Sequence, residues 1–129
     1  MTDFHPTIVS DKYVPTINFY EDFFGFVATV EKEGFTLLQD ISNASNRIAI
    51  FDTTHECVAE RVNPVQGLIL NLPVEDVRAK FDALYMEGLE FYKEFGTDIY
   101  GRQHFVVYDP SGVLVNVHEA VEVSDFEPA

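Results

Sequence analysis

The chain has very little with which to build a covalent or redox site. Its single cysteine, Cys57, excludes an intramolecular disulfide and fits a reducing, cytoplasmic setting. It contains no CxxC pair, no glycine-rich phosphate loop and no Ser/His/Asp order, so those chemistries are set aside. His55-Glu56 lacks the helical HExxH spacing of a zinc protease. Basic residues are also scarce, 8 against 22 acidic ones, for a net charge of -14. Nucleic acid and anionic lipid both demand clustered Lys and Arg, so neither is expected as a partner. The acidic surplus keeps a small protein soluble and permits a cationic ligand. No apolar run approaches the ~20 residues of a membrane span. The opening Met-Thr-Asp-Phe-His-Pro has neither the basic nor the apolar region of a secretory signal.

What is present reads as one domain of 129 residues, 47% hydrophobic and 23% charged. Residues 4–10 (FHPTIVS) suit a strand. Asp11 is placed to cap a helix whose first turn takes Pro15, with Val14, Ile17, Tyr20, Phe23 and Phe24 on one stripe and Gly25 at its end. Residues 26–31 and 35–39 form a hairpin around Gly34. The cluster 42–46 is a turn, and 47–51 a further strand. Residues 52–66, which carry Pro64, have no clean period and read as a connector. Residues 67–72 (GLILNL) then form a strand. After Pro73-Val74-Glu75-Asp76 a second helix carries Val77, Phe81, Leu84 and Tyr85, closed by Gly88. Strands follow at 89–95, 102–108 and 113–118, with a loop at 96–101. An acidic tail occupies 120–129.

Strand, helix ending in glycine, three strands: this order occurs twice, an internal repeat of about 50–60 residues. The expected fold class is therefore α+β, two βαβββ modules at about 4–51 and 67–119. Each sheet has one face under its helix and the other concave, toward a cavity. The pleat assigns those faces. Leu68, Leu70, Leu72, Phe105, Val107, Val113, Val115 and Val117 fall under the second helix. Ile69, Asn71, His104, Val106, Leu114, Asn116 and His118 fall on the concave side.

Three stretches carry a family likeness: INFYEDFFGF at 17–26, LPVEDVRAKFDALYMEGLEF at 72–91 and GRQHFVVYDPSGVLVNVHE at 101–119. From residue 4 to 119 the chain resembles the vicinal oxygen chelate superfamily of glyoxalases, bleomycin-resistance proteins and extradiol dioxygenases. The resemblance implies paired βαβββ modules forming a curved mixed sheet around a cavity, helices outside, in a homodimer. In the metal-dependent members, the metal-ligand positions fall here at Phe4, Ile69 and Asn116. Phe and Ile cannot ligate, and an amide oxygen is a poor substitute for a carboxylate. The likeness is therefore to the metal-free bleomycin-resistance branch, which implies antibiotic resistance by sequestration, with no metal or cofactor. The alternative is a lyase, isomerase or dioxygenase whose metal has moved to His5, His104, His118 and Glu119.

The central question is what Asn116 does amid apolar strand residues. Asn71 and Asn116 can orient a polar ligand, or they can satisfy each other across strands. His104 can act as acid or base, or serve as a polar wall. Tyr100 and Arg102 flank Gly101 at the expected cavity mouth, either stacking on and pairing with a planar anionic ligand or standing in solvent. Most of the 12 Phe and 6 Tyr must be core, while Phe35 or Phe51 can offer a stacking face. The ligand-binding candidates are thus Phe51, Asn71, Tyr100, Arg102, His104 and Asn116, for a planar or cationic small molecule. A structural module whose cavity is filled by its own aromatics is the third reading.

Overall fold

The computed structural model describes residues 4–56, 58 and 67–120. Most of the connector, Cys57 and nearly all of the acidic tail lie outside these. The chain divides into two compact units, Met1–Gln66 and Gly67–Ala129. The first contains β1 (Thr7–Ser10), α1 (Tyr13–Phe24), β2 (Phe26–Lys32), β3 (Phe35–Asp40) and β4 (Asn43–Asp52). The second contains β5 (Ile69–Val74), α2 (Val77–Met86), β6 (Phe91–Thr97), β7 (Gln103–Tyr108) and β8 (Leu114–Glu119).

Each unit is a four-stranded mixed sheet of the same topology. The strand orders are β1-β4-β3-β2 and β5-β8-β7-β6. In each, the first strand pairs parallel with the last, and the other pairings are antiparallel. A parallel pair needs a long crossover, and here the helix and two strands provide it. The fold is the expected α+β pair of βαβββ modules. Among the described residues no helix is long and apolar enough to cross a membrane.

The local chemistry departs from the sequence reading at several places. The N-cap of α1 is Lys12, not Asp11; Ser10 Oγ accepts the Lys12 N–H at 2.9 Å. The buried face of α1 is Thr16, Phe19 and Tyr20, whereas Val14 is 59% exposed. Thr16 can be buried because its hydroxyl shares a hydrogen bond with Ser10 Oγ, which an apolar count does not register. The expected turn at 42–46 is mostly strand. The hairpin needs only Ile41 and Ser42, since Asp40 pairs with Asn43 and its Oδ1 accepts the Ser42 N–H. His5 precedes β1, and β6 runs to Thr97, shortening the loop that follows. Gly25 does end α1, its N–H donating to the Tyr20 carbonyl. In α2, the Asp76 carboxylate caps the Ala79 N–H at 3.0 Å.

The second unit's core follows the pleat. Leu70, Phe105, Val107, Val115 and Val117 are buried together with Val77 and Leu84 of α2. Phe81 joins Phe91, Phe95 and Phe105 in an aromatic cluster with centroids 5.1–5.9 Å apart. Fully buried Phe105 touches both Phe81 and Phe91. Phe105→Ala is expected to cost about 3–5 kcal/mol, from lost burial plus the cavity left behind. Chemical denaturation would show this as a lower midpoint with little change in slope.

Candidate functional site

The opposite face of the β5-β8-β7-β6 sheet floors a pocket of about 900 Å³. Its lining comes from Ile69, Asn71, Tyr92, Lys93, Thr97, Asp98, Ile99, Tyr100, Arg102, His104, Val106, Leu114 and Asn116. None of the described phenylalanines of this unit is among them; the cluster around Phe81 gathers Phe91, Phe95 and Phe105 on the helix side. The pocket is therefore not filled by that aromatic core.

Two polar networks shape it. The first answers the question about Asn116. Parallel pairing sets Asn71 directly beside Asn116, and the antiparallel neighbour sets Val106 on its other side. Asn116 Nδ2 donates to Asn71 Oδ1 at 2.9 Å, and Asn116 Oδ1 lies 2.8 Å from His104 Nδ1. An amide oxygen only accepts, so His104 donates from Nδ1, and Nε2 is the acceptor of its neutral ring. The direction of donation runs from His104 through Asn116 to Asn71. Asn71 has its oxygen occupied and its NH₂ donors left over.

The second network is built on a turn used twice. In Asp98-Ile99-Tyr100-Gly101-Arg102, the Gly101 N–H donates to the Asp98 carbonyl at 3.0 Å and the Asp98 N–H to the Arg102 carbonyl at 2.8 Å. Asp98 Oδ1 accepts the N–H groups of Tyr100 and Arg102. Asp109-Pro110-Ser111-Gly112-Val113 repeats all four bonds. Both glycines have φ in the left-handed region, 82° and 91°, which the turn requires. The first turn adds a charge. Arg102 Nε donates to Asp98 Oδ2 at 2.7 Å, the guanidinium lies 5.0 Å from the Tyr100 ring centroid, and Nη1 reaches His118 Nδ1 at 3.1 Å.

His118 Nδ1 is also 2.9 Å from the Glu119 carbonyl, and one nitrogen cannot serve both neighbours. The Arg102 contact needs a lone pair, the carbonyl a proton. Burial pushes the His118 pKa down; the Glu119 carbonyl opposes this, and the Arg102 charge adds to it. The neutral ring accepting from the guanidinium is the consistent state. For Asp98, burial alone would raise the pKa. The hydrogen bonds from Arg102 and Tyr100, with the Arg102 charge, outweigh it and hold the carboxyl below its ordinary range.

The sequence-derived candidates can now be located. Asn71, Tyr100, Arg102, His104 and Asn116 line one pocket. Phe51 belongs to the first unit, where its ring lies 4.7 Å from Phe35 and 4.9 Å from His55. His118 sits behind Arg102 and does not line the pocket. Tyr92, Lys93, Thr97, Asp98 and Ile99 escaped sequence reasoning. An Asp three residues before a Gly is a turn signature from which Asp98 could have been read.

The lining does not suit a metal ion. Ile69 has no donor, Asn116 Oδ1 is occupied by His104, and Glu119 Oε1 accepts the Gln103 N–H at 3.1 Å. Among the described residues, no three His, Cys, Asp or Glu side chains are grouped to hold one.

Comparison with known proteins bears on the whole chain. A family model described as Glyoxalase/Bleomycin resistance protein/Dioxygenase superfamily matches residues 4–117. A search of curated proteins finds no match. Several solved structures share the fold. One is a protein of unknown function from Agrobacterium tumefaciens, with 20% identity, 94% of this chain and 95% of that chain covered, and a TM-score of 0.72. A lactoylglutathione lyase from the same organism gives 14%, 93% and 95%, and 0.70. TioX from Micromonospora gives 13%, 94% and 100%, and 0.72. At these identities the likeness is one of fold.

The two titrating groups make a pH prediction. His118 has a lowered folded pKa, so its stabilising neutral state is present above the unfolded value of about 6.5 and is lost as pH falls through the folded value. Asp98 also has a lowered folded pKa; its contribution holds above the ordinary carboxylate value of about 3.9 and fades only below it. Melting temperature should therefore fall in two stages on acidification. His118→Asn, which keeps an acceptor but cannot titrate, should remove the upper stage and spare the lower.

Proposed function

The chain belongs to the Glyoxalase/Bleomycin resistance protein/Dioxygenase superfamily, and we propose that it binds a planar small molecule in the second unit's pocket without a metal. The observation that carries this reading is the amide relay. The position that resembles a metal carboxylate in the family is Asn116, and its oxygen is already committed to His104. What remains is a cavity with an apolar floor of Ile69, Val106 and Leu114, aromatic rings of Tyr92 and Tyr100 in its wall, and a few directed polar groups. That composition suits reversible binding of an organic compound. Sequestration of a toxic compound such as an antibiotic, in a cytoplasmic homodimer, is the physiological role we propose.

The competing reading is a metal-dependent lyase, isomerase or dioxygenase. It would need His104 and His118 to turn together onto one ion. Only His104 lines the pocket, while His118 is held behind Arg102, and the pocket lining includes no cysteine, serine or free carboxylate to take a nucleophile's part.

Two measurements test the proposal. Protein expressed in metal-supplemented medium and purified without chelator should hold no stoichiometric metal by mass spectrometry. One equivalent of a single metal, lost in a His104→Ala/His118→Ala variant, would refute it. In calorimetric titrations with planar aromatic compounds, Leu114→Trp should weaken binding at least about tenfold by filling the floor. Unaltered affinity in that variant would put the ligand elsewhere.

A further inference from the structure

The charge on the pocket wall is opposite to that of the chain. The net charge is -14, yet the charged residues lining the pocket are Lys93, Arg102 and Asp98. Asp98 is the lone carboxylate of that lining and offers nothing to a ligand. Its side chain is 8% exposed, Oδ1 accepts two backbone N–H groups, and Oδ2 accepts Arg102 Nε. Arg102 and Asp98 cancel as a close pair. Lys93 is left as the uncompensated charge, since the salt bridges among the described residues do not involve it. The adjacent Glu94 does not line the pocket.

Lys93 faces the pocket because β6 is bulged. Phe91 pairs with Val107 and Lys93 with Val106, so two steps on β6 match one on β7. A regular strand would send Phe91 and Lys93 to the same face. The bulge lets Phe91 pack under α2 while Tyr92 and Lys93 both line the pocket. Lys93 then heads a cross-strand row, Lys93–Val106–Asn116–Asn71, spanning all four strands. Three interstrand spacings put roughly 14 Å between its ends. One end is an ammonium, the middle is Val106 and the Asn116 amide already bonded to His104 and Asn71, and the other end is an amide whose oxygen is occupied and whose NH₂ donors remain.

Resting on the pocket-binding reading above, we propose that this pocket selects an aromatic anion: a planar carboxylate paired with Lys93, its rings over Val106 and Leu114, and a hydrogen-bond acceptor at the far end against Asn71. A cationic ligand would meet a like charge at one end and only donors at the other. The acidity of the chain as a whole belongs to its surface and does not describe the recognition site.

The test uses the full chain and three isosteric probes: methoxynaphthoate, methoxynaphthamide and methoxynaphthylmethylammonium. Affinities come from calorimetry, and location comes from amide shifts of Asn71, Val106 and Leu114 in NMR titrations. The carboxylate should bind about tenfold or more tighter than the amide, and the ammonium weakest. Lys93→Met should bring the carboxylate down to the amide's affinity and leave the amide unchanged, while Lys93→Arg keeps the preference. A tighter ammonium, or a carboxylate advantage that survives Lys93→Met, overturns the proposal. Equal binding of all three probes, with shifts at those amides, sinks the anion preference and leaves pocket binding intact. If no probe moves them, both readings fall together.

Discussion

Everything in the second unit depends on the parallel pairing of its first and last strands. Ile69–Val74 lies beside Leu114–Glu119 although the helix and two other strands intervene. Closing so long a crossover costs chain entropy that the ladder's hydrogen bonds do not recover alone. The compensation is on one face, where Leu70, Val115 and Val117 are buried against α2. The same register decides the other face. Once Leu70 opposes Val115, Asn71 must oppose Asn116. Core packing and pocket chemistry are thus two sides of one register, and a slip of one residue would destroy both.

That constraint explains why an amide is tolerated there. A carboxylate at 116 could not donate to the Asn71 oxygen, so the Asn71 amide would have to turn over and present its NH₂ instead. An apolar residue would strand Nδ1 of the buried His104. An amide donates on one side and accepts on the other, so it joins one acceptor, Asn71 Oδ1, to one donor, His104 Nδ1. The relay also fixes which ring nitrogen of His104 donates, since Nδ1 faces the amide oxygen.

The strongest sequence signals were those in which one chemistry decides the structure alone. The alternation at 113–118 put the valines under α2 and Asn116 on the pocket side, because a half-covered sheet has no other arrangement. The Asp-Pro-Ser-Gly turn declared itself by residues that suit few alternatives. Lys93 was illegible for the converse reason. A bulge inserts one residue and resets the period, and nothing in Phe91-Tyr92-Lys93 distinguishes a bulged strand from a regular one. The burial of α1 was misjudged because Thr16 counts as polar until its partner Ser10 is known. Asn43 to Asn46 looked like a turn because exposed strand residues and turn residues share a composition.

The contrast between an acidic chain and a basic pocket wall is resolved by distance. Charges on the surface act on an approaching molecule through water and salt, and beyond about 8 Å they are largely screened at physiological ionic strength. Lys93 acts at contact, well inside that distance and next to the apolar floor of Val106 and Leu114. Net charge therefore governs solubility and encounter, whereas selection is set by the few groups that remain unpaired inside. In this pocket the folding turn consumes the carboxylate, through the bonds of Asp98 to Tyr100 and Arg102. The charged group still available is an ammonium, with the NH₂ of an amide across the floor from it. The architecture thus removes the acidic group from the site by employing it in the backbone, and the ligand meets what the fold has not already used.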